Sequence, residues 1–140
     1  MQQTLTIIKP DSMAAGNAGK ILAHLEGEGF RIVALKRIRL TQAQAEGFYE
    51  VHQERPFYHD LVAFMTESPV IAAVLEREDA VSHLRQVMGA TDSAEAEAGT
   101  IRALYGTDIE RNAIHGSDSP ENAARESAFF FSRAELIDLV

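Results

Sequence analysis

His115 stands between an apolar stub, Ala113-Ile114, and a run of turn-forming residues from Gly116 to Pro120. An imidazole held there has a chemistry open to it. Neutral histidine is a good nucleophile, and a hydrogen bond to one ring nitrogen fixes which of the two can attack. Ser119-Pro120 reads as a helix start, a cap residue followed by proline at the first helical position. The amides of that helix would face the histidine and favour an anion beside it. Glu126, two turns along, has Ala123 and Phe130 as its i−3 and i+4 neighbours, so it borders the apolar face. A carboxylate at that edge needs a partner, and His115 is a candidate. Gly116 is expected to permit an unusual backbone turn or the close approach of a ligand. Taken alone, these residues also fit a satisfied turn histidine, and that alternative stays open.

Cations extend the pattern. Lys9 ends an apolar strand just before a turn, Arg85 lies four residues after Val81 at the edge of a helix face, and Arg102 follows Gly99-Thr100. Singly, each fits a solvated charge; together they would bind a polyphosphate. Two other patterns are decoys. Gly16-Asn17-Ala18-Gly19-Lys20 lacks the four-residue spacing and the Ser or Thr of a phosphate-binding loop. His24, His52, His59 and His83 show no ligand spacing, so no metal cage of protein side chains is expected.

These groups need a scaffold, and the composition supplies one. The chain has 140 residues, 46% of them hydrophobic, which predicts one domain spanning 1–140. The absence of cysteine excludes disulfides, thiolate catalysis and cysteine-ligated zinc. A net charge of −8 argues against a general nucleic-acid binder, but a small anion needs only a few local cations. The longest apolar run, Val70–Leu75, is too short to span a bilayer, and MQQTLTIIKPD does not read as a signal peptide. The expectation is a soluble cytoplasmic protein.

Along the chain, Thr4–Lys9 reads as a strand ended by Pro10-Asp11. Ala18, Ile21, Leu22 and Leu25 follow at helical spacing, with Asn17 as a cap and Gly27 and Gly29 as stops. Phe30–Leu40 is a strand candidate. Thr41 with Gln44 resembles a capping box opening a helix through Phe48 and Tyr49, which Arg55-Pro56 breaks. A short helix carries Leu61, Val62 and Met65. Val70–Leu75 reads as a strand in the sheet centre, and Val81, Leu84 and Met88 mark a helix that Gly89 stops. Residues 92–99 read as a surface loop or a weak helix. Ala113-Ile114 is too short to assign as a strand alone. The order implies an α/β layer protein with one sheet; pattern alone leaves a parallel and an antiparallel ferredoxin-like sheet both open.

NAIHGSDS at 112–119 resembles the active-site signature of the nucleoside diphosphate kinases. TLTIIKPD at 4–11, YEVHQERPFYHDLVAFM at 49–65, SPV at 68–70, MGAT at 88–91 and GTIR at 99–102 follow in the order expected of that family, so the resemblance covers essentially the whole chain. It implies a ferredoxin-like βαββαβ fold, a four-stranded antiparallel sheet with additional helices. It implies transfer of the γ-phosphoryl group from a nucleoside triphosphate to a nucleoside diphosphate, ribo- or deoxyribo-, in a ping-pong cycle through a phosphohistidine. Mg²⁺ would be held mainly by the nucleotide phosphates. Carried over residue by residue, His115 is the nucleophile, Glu126 and Ser117 support it, and Tyr49 lies beside it. Arg85, Thr91 and Arg102 contact phosphates. Lys9 and Asn112 contact the sugar, and Lys9 also aids catalysis. Phe57 stacks on the base, with Leu61 and Ile109 closing the slot. A homo-oligomer, tetramer or hexamer, is implied, with no membrane and no nucleic acid required. Leu104, Ser127 and Ala98 depart from common family residues at positions that bear on packing and assembly. A nucleotide-binding regulatory module and a nucleotide hydrolase are the competing readings on the same fold.

Overall fold

The computed structural model describes residues 1–137. Four strands form one sheet: β1 (Gln2–Ile8), β2 (Arg31–Ile38), β3 (Val70–Arg77) and β4 (Ile114–Gly116), in the order β2-β3-β1-β4 with every pair antiparallel. That resolves the ambiguity of the pattern in favour of the ferredoxin-like arrangement. The two central strands are buried on both faces, which explains their continuous apolar runs. Val70, Ala72 and Val74 face one way; Ile71, Ala73 and Leu75 face the other. The period of two thus splits the core into two layers.

One layer packs on α3 (Gln42–Phe48), α4 (Tyr58–Met65) and α7 (Pro120–Phe130), through Phe48, Met65 and Phe130. The other packs on α2 (Ala18–Gly27) and α5 (Ala80–Met88), through Ile21, Leu25, Leu84 and Met88. Three short helices, α1 (Pro10–Ala14), α6 (Ile101–Tyr105) and α8 (Arg133–Leu136), complete the α-helices among the described residues, beside the 3₁₀ turns Glu50–His52 and Ser93–Glu95.

Local signals explain the helix starts. Thr41 and Gln44 form both bonds of the capping box, and Ser119 Oγ accepts the Asn122 amide at 3.1 Å; each such cap contributes about 1 kcal/mol. Asn17 does not cap α2 with its side chain as expected; only its carbonyl takes part, accepting the Ile21 amide. Lys9 falls just outside β1, because its amide turns away to the carbonyl of Ala113. Residues 92–99 contain one 3₁₀ turn, Ser93–Glu95. Ala113 is not part of β4, whose three residues are a strand only because β1 pairs with them, Ile7 opposite His115.

Candidate functional site

The carboxyl end of β1, strand β4, the start of α7, and the loops before α4 and β4 surround a cleft of about 680 Å³. His115 lines it from β4, its carbonyl fixed by the Thr6 hydroxyl at 2.8 Å. Its Nε2 lies 2.7 Å from Glu126 Oε1, and the same oxygen accepts the buried Ser117 hydroxyl at 2.7 Å. Burial alone would raise the Glu126 carboxyl; the hydrogen bonds from His115 and Ser117 outweigh it and hold the group below its ordinary value. Among the described residues, no group bonds Nδ1 of His115. Ser117 does not reach the cleft and acts on it only through Glu126. Phe48 stands edge-on to the imidazole, and the Tyr49 ring lies 6.4 Å from it. The Tyr49 hydroxyl is buried without a partner, and burial pushes its pKa up.

A clamp beneath the histidine shapes the chain. Ala113 is fully buried with φ of 75°, a left-handed conformation that costs a residue with a Cβ about 1 kcal/mol. Its amide donates to Asp11 Oδ2 at 3.0 Å, and its carbonyl accepts the Lys9 amide at 2.9 Å. Asn112, next to it, is a junction. Its Oδ1 accepts Lys9 Nζ at 2.7 Å, while Nδ2 donates to the carbonyls of Thr91 at 2.9 Å and Ile109 at 3.2 Å.

Lys9, Arg85 and Arg102 do converge on this cleft, together with Thr91. Burial and then the nearby Arg102 lower Lys9 to about 8, with Asp11 and Glu110 opposing. Burial and then Arg85 lower Arg102 to about 10. Arg102 donates to the carbonyls of Gly89 at 3.0 Å and Ile114 at 2.8 Å, not to a carboxylate. Cations brought this close in one cleft, with no carboxylate partner for Lys9 or Arg102 among the described residues, are arranged for an anion.

At the mouth, Phe57 is 45% exposed and Ile109 is 64% exposed, with Leu61 between them on α4. Large apolar side chains left in water on the walls of one slot suit a flat apolar ligand face. Every expected site residue except Ser117 therefore lines one cleft.

Six cleft residues escaped the sequence reading: Val51, His52, Glu110, Asp118, Asn122 and Arg125. Asp118, Asn122 and Arg125 recur at spacings of four and three, which could have shown that they share a face with Glu126. Asn122 Nδ2 donates to Asp118 Oδ1 at 2.6 Å. His52 ends a single 3₁₀ turn, Glu50–His52, and lies 5.6 Å from Phe57, ring to ring, across the connection to α4, a contact with no periodic signal. Gly116 lines the cleft, but the unusual backbone turn allowed for there is absent. Its φ is ordinary, and the left-handed residue is Ala113. A Cβ at Gly116 would lie 2.9 Å from Leu84 Cδ2 and from Met88 Sδ, so α5 packs closely under β4 and those side-chain ends would have to shift to admit one. Among the described residues, no three His, Asp or Glu side chains cluster to hold a metal, and no helix is long and apolar enough to cross a membrane.

Comparison with known proteins shows what the cleft belongs to. A family model described as nucleoside diphosphate kinase matches residues 2–136. A nucleoside diphosphate kinase of Geobacter sulfurreducens is 56% identical over 137 residues, covering 98% of this chain and all of the relative. One from Persephonella marina is 51% identical over 138 residues, covering 99% of each. The crystal structure of the Aquifex aeolicus nucleoside diphosphate kinase superposes with a TM-score of 0.95 at 52% identity, over 97% of this chain and 99% of that one. A Halobacterium salinarum nucleoside diphosphate kinase solved in complex with CDP gives 0.94 at 41% identity, over 99% and 93%.

Proposed function

The chain belongs to the nucleoside diphosphate kinase family, and on that premise we propose that His115 carries the phosphoryl group through its Nδ1 nitrogen. The protein transfers a terminal phosphoryl group from a nucleoside triphosphate to a nucleoside diphosphate. The observation that supports His115 as carrier is its 2.7 Å bond to Glu126 at the foot of a cationic cleft.

In the first half-reaction Nδ1 attacks the γ-phosphorus, the bond from that phosphorus to the bridging oxygen breaks, and the nucleoside diphosphate departs. Nε2 keeps its proton, donated to Glu126 Oε1, so the developing imidazolium is balanced by a carboxylate already in place. A second nucleoside diphosphate reverses the step. Phosphoryl transfer asks the protein for positioning and charge stabilisation. Arg85, Arg102 and Thr91 meet the phosphates, and Lys9 and Asn112 meet the sugar end, with the charge of Lys9 close enough to aid transfer. Phe57, with Leu61 and Ile109, holds the base by its face, which every base possesses. Tyr49 walls the histidine.

In this reading Mg²⁺ is the divalent ion that would neutralise part of the phosphate charge. The ion would arrive with the nucleotide, held mainly by its phosphates, and Lys9, Arg85 and Arg102 on the cleft wall would share the neutralisation. Assembly into a homo-oligomer and a cytoplasmic location belong to the same proposal.

The test is His115→Ala. It should abolish transfer while nucleotide binding, followed by calorimetry, largely survives. Normal exchange in that variant would refute the carrier.

A further inference from the structure

We propose that Asp11 is a positioning residue for the transfer: by accepting the amide of Ala113 it holds that residue's left-handed turn, and the turn aims Asn112 and His115 into the cleft. The proposal rests on the reading of His115 as the phosphoryl carrier.

Asp11 is distant in sequence and adjacent in space. Pro10, at the first position of α1, ends β1 and swings Asp11 back beneath β4. There Asp11 Oδ2 takes the Ala113 amide at 3.0 Å, while the Lys9 amide takes the Ala113 carbonyl at 2.9 Å. Both polar backbone groups of Ala113 are thus gripped by one turn. Ala113 is an alanine where glycine would need no help, so something must hold its positive φ. Its neighbours transmit the result. Asn112 bonds Lys9 Nζ, and the carbonyl of Ile114 bonds Arg102. Relaxing Ala113 to an ordinary φ would rotate both flanking peptide planes, disturbing two cleft cations and the strand that presents His115.

Rapid-quench measurement of phosphohistidine formation from labelled triphosphate, paired with thermal melting, tests the clamp. Asp11→Ala should slow phosphorylation of His115 by about 10–100-fold, the scale of a misplacement near 1 Å. Asp11→Asn keeps an acceptor oxygen and should recover most of that loss. Ala113→Gly added to Asp11→Ala should also restore the rate, to within about threefold of Ala113→Gly alone, because glycine adopts the positive φ without strain. If Asp11→Ala folds poorly, the added glycine should restore the melting point and the rate together. A rate in Asp11→Ala equal to the parent's, or a double variant as impaired as Asp11→Ala, would overturn the proposal. A parent protein that takes no phosphate on His115 would overturn the carrier instead, so the two failures are distinguishable.

Discussion

Glu126 Oε1 lies 2.7 Å from Nε2 of His115 and accepts the Ser117 hydroxyl at the same distance. One oxygen therefore fixes the tautomer of the imidazole and is itself fixed by a buried donor. Glu126→Gln should cut kcat by about 10²–10⁴-fold, the range seen when a carboxylate orienting a catalytic histidine is neutralised. KM should move far less, because Glu126 meets the histidine and not the phosphates. Steady-state kinetics at saturating nucleotide measures both.

The same carboxylate gives acid sensitivity. Its folded pKa lies below the ordinary 4.5, so its contribution to stability is present above about 4.5 and is lost as pH falls through the folded value. Melting curves between pH 7 and pH 3 should show the parent losing more stability on acidification than Glu126→Gln. Equal losses would contradict the assignment.

Lys9 acts in the opposite direction. With a folded pKa of about 8 against an ordinary 10.5, its burial penalty is full below about 8 and fades as pH rises from there to 10.5. Activity should run the other way, with kcat/KM falling as pH rises through about 8 and the cation is lost. Lys9→Met should raise unfolding stability at pH 7 by about 1–3 kcal/mol while transfer collapses. Chemical denaturation and a pH–rate profile check the two halves.

Phe57 and His52 should act as a unit. Phe57→Ala should weaken binding of all bases by a similar amount, about 1–3 kcal/mol. His52→Ala removes the ring 5.6 Å from Phe57 and should weaken the same binding by less. In a double-mutant cycle on nucleoside diphosphate affinity the two losses should be non-additive. A loss confined to purines would count against face stacking.

Gly116→Ala should destabilise the fold by about 1–3 kcal/mol through overpacking against Leu84 and Met88. Thermal melting reads this directly.

These residues also show what a sequence carries. The Thr41–Gln44 box and the Ser119-Pro120 start were legible because each is completed within four residues. Val70–Leu75 was legible as a central strand because burial on both faces leaves only apolar residues. Strand β4 was not, since three residues have no period and depend on pairing with β1. The turn at Ala113 was not either: nothing local favours a positive φ at alanine, and its holder lies at Asp11, across the whole fold. Convergence of Lys9, Arg85 and Arg102 likewise needed the sheet. The signature NAIHGSDS carried the site's identity through family resemblance, while local chemistry left His115 open to either reading.

The proposed carrier of the phosphoryl group is Nδ1 of His115. The direct measurement is incubation with γ-labelled nucleoside triphosphate and no acceptor, followed by acid-lability analysis and mapping of the label. About one acid-labile phosphate per chain is expected, on Nδ1 of His115, with complete passage to any added nucleoside diphosphate. Label on another residue, or steady release of free phosphate with no phosphoenzyme, would contradict it.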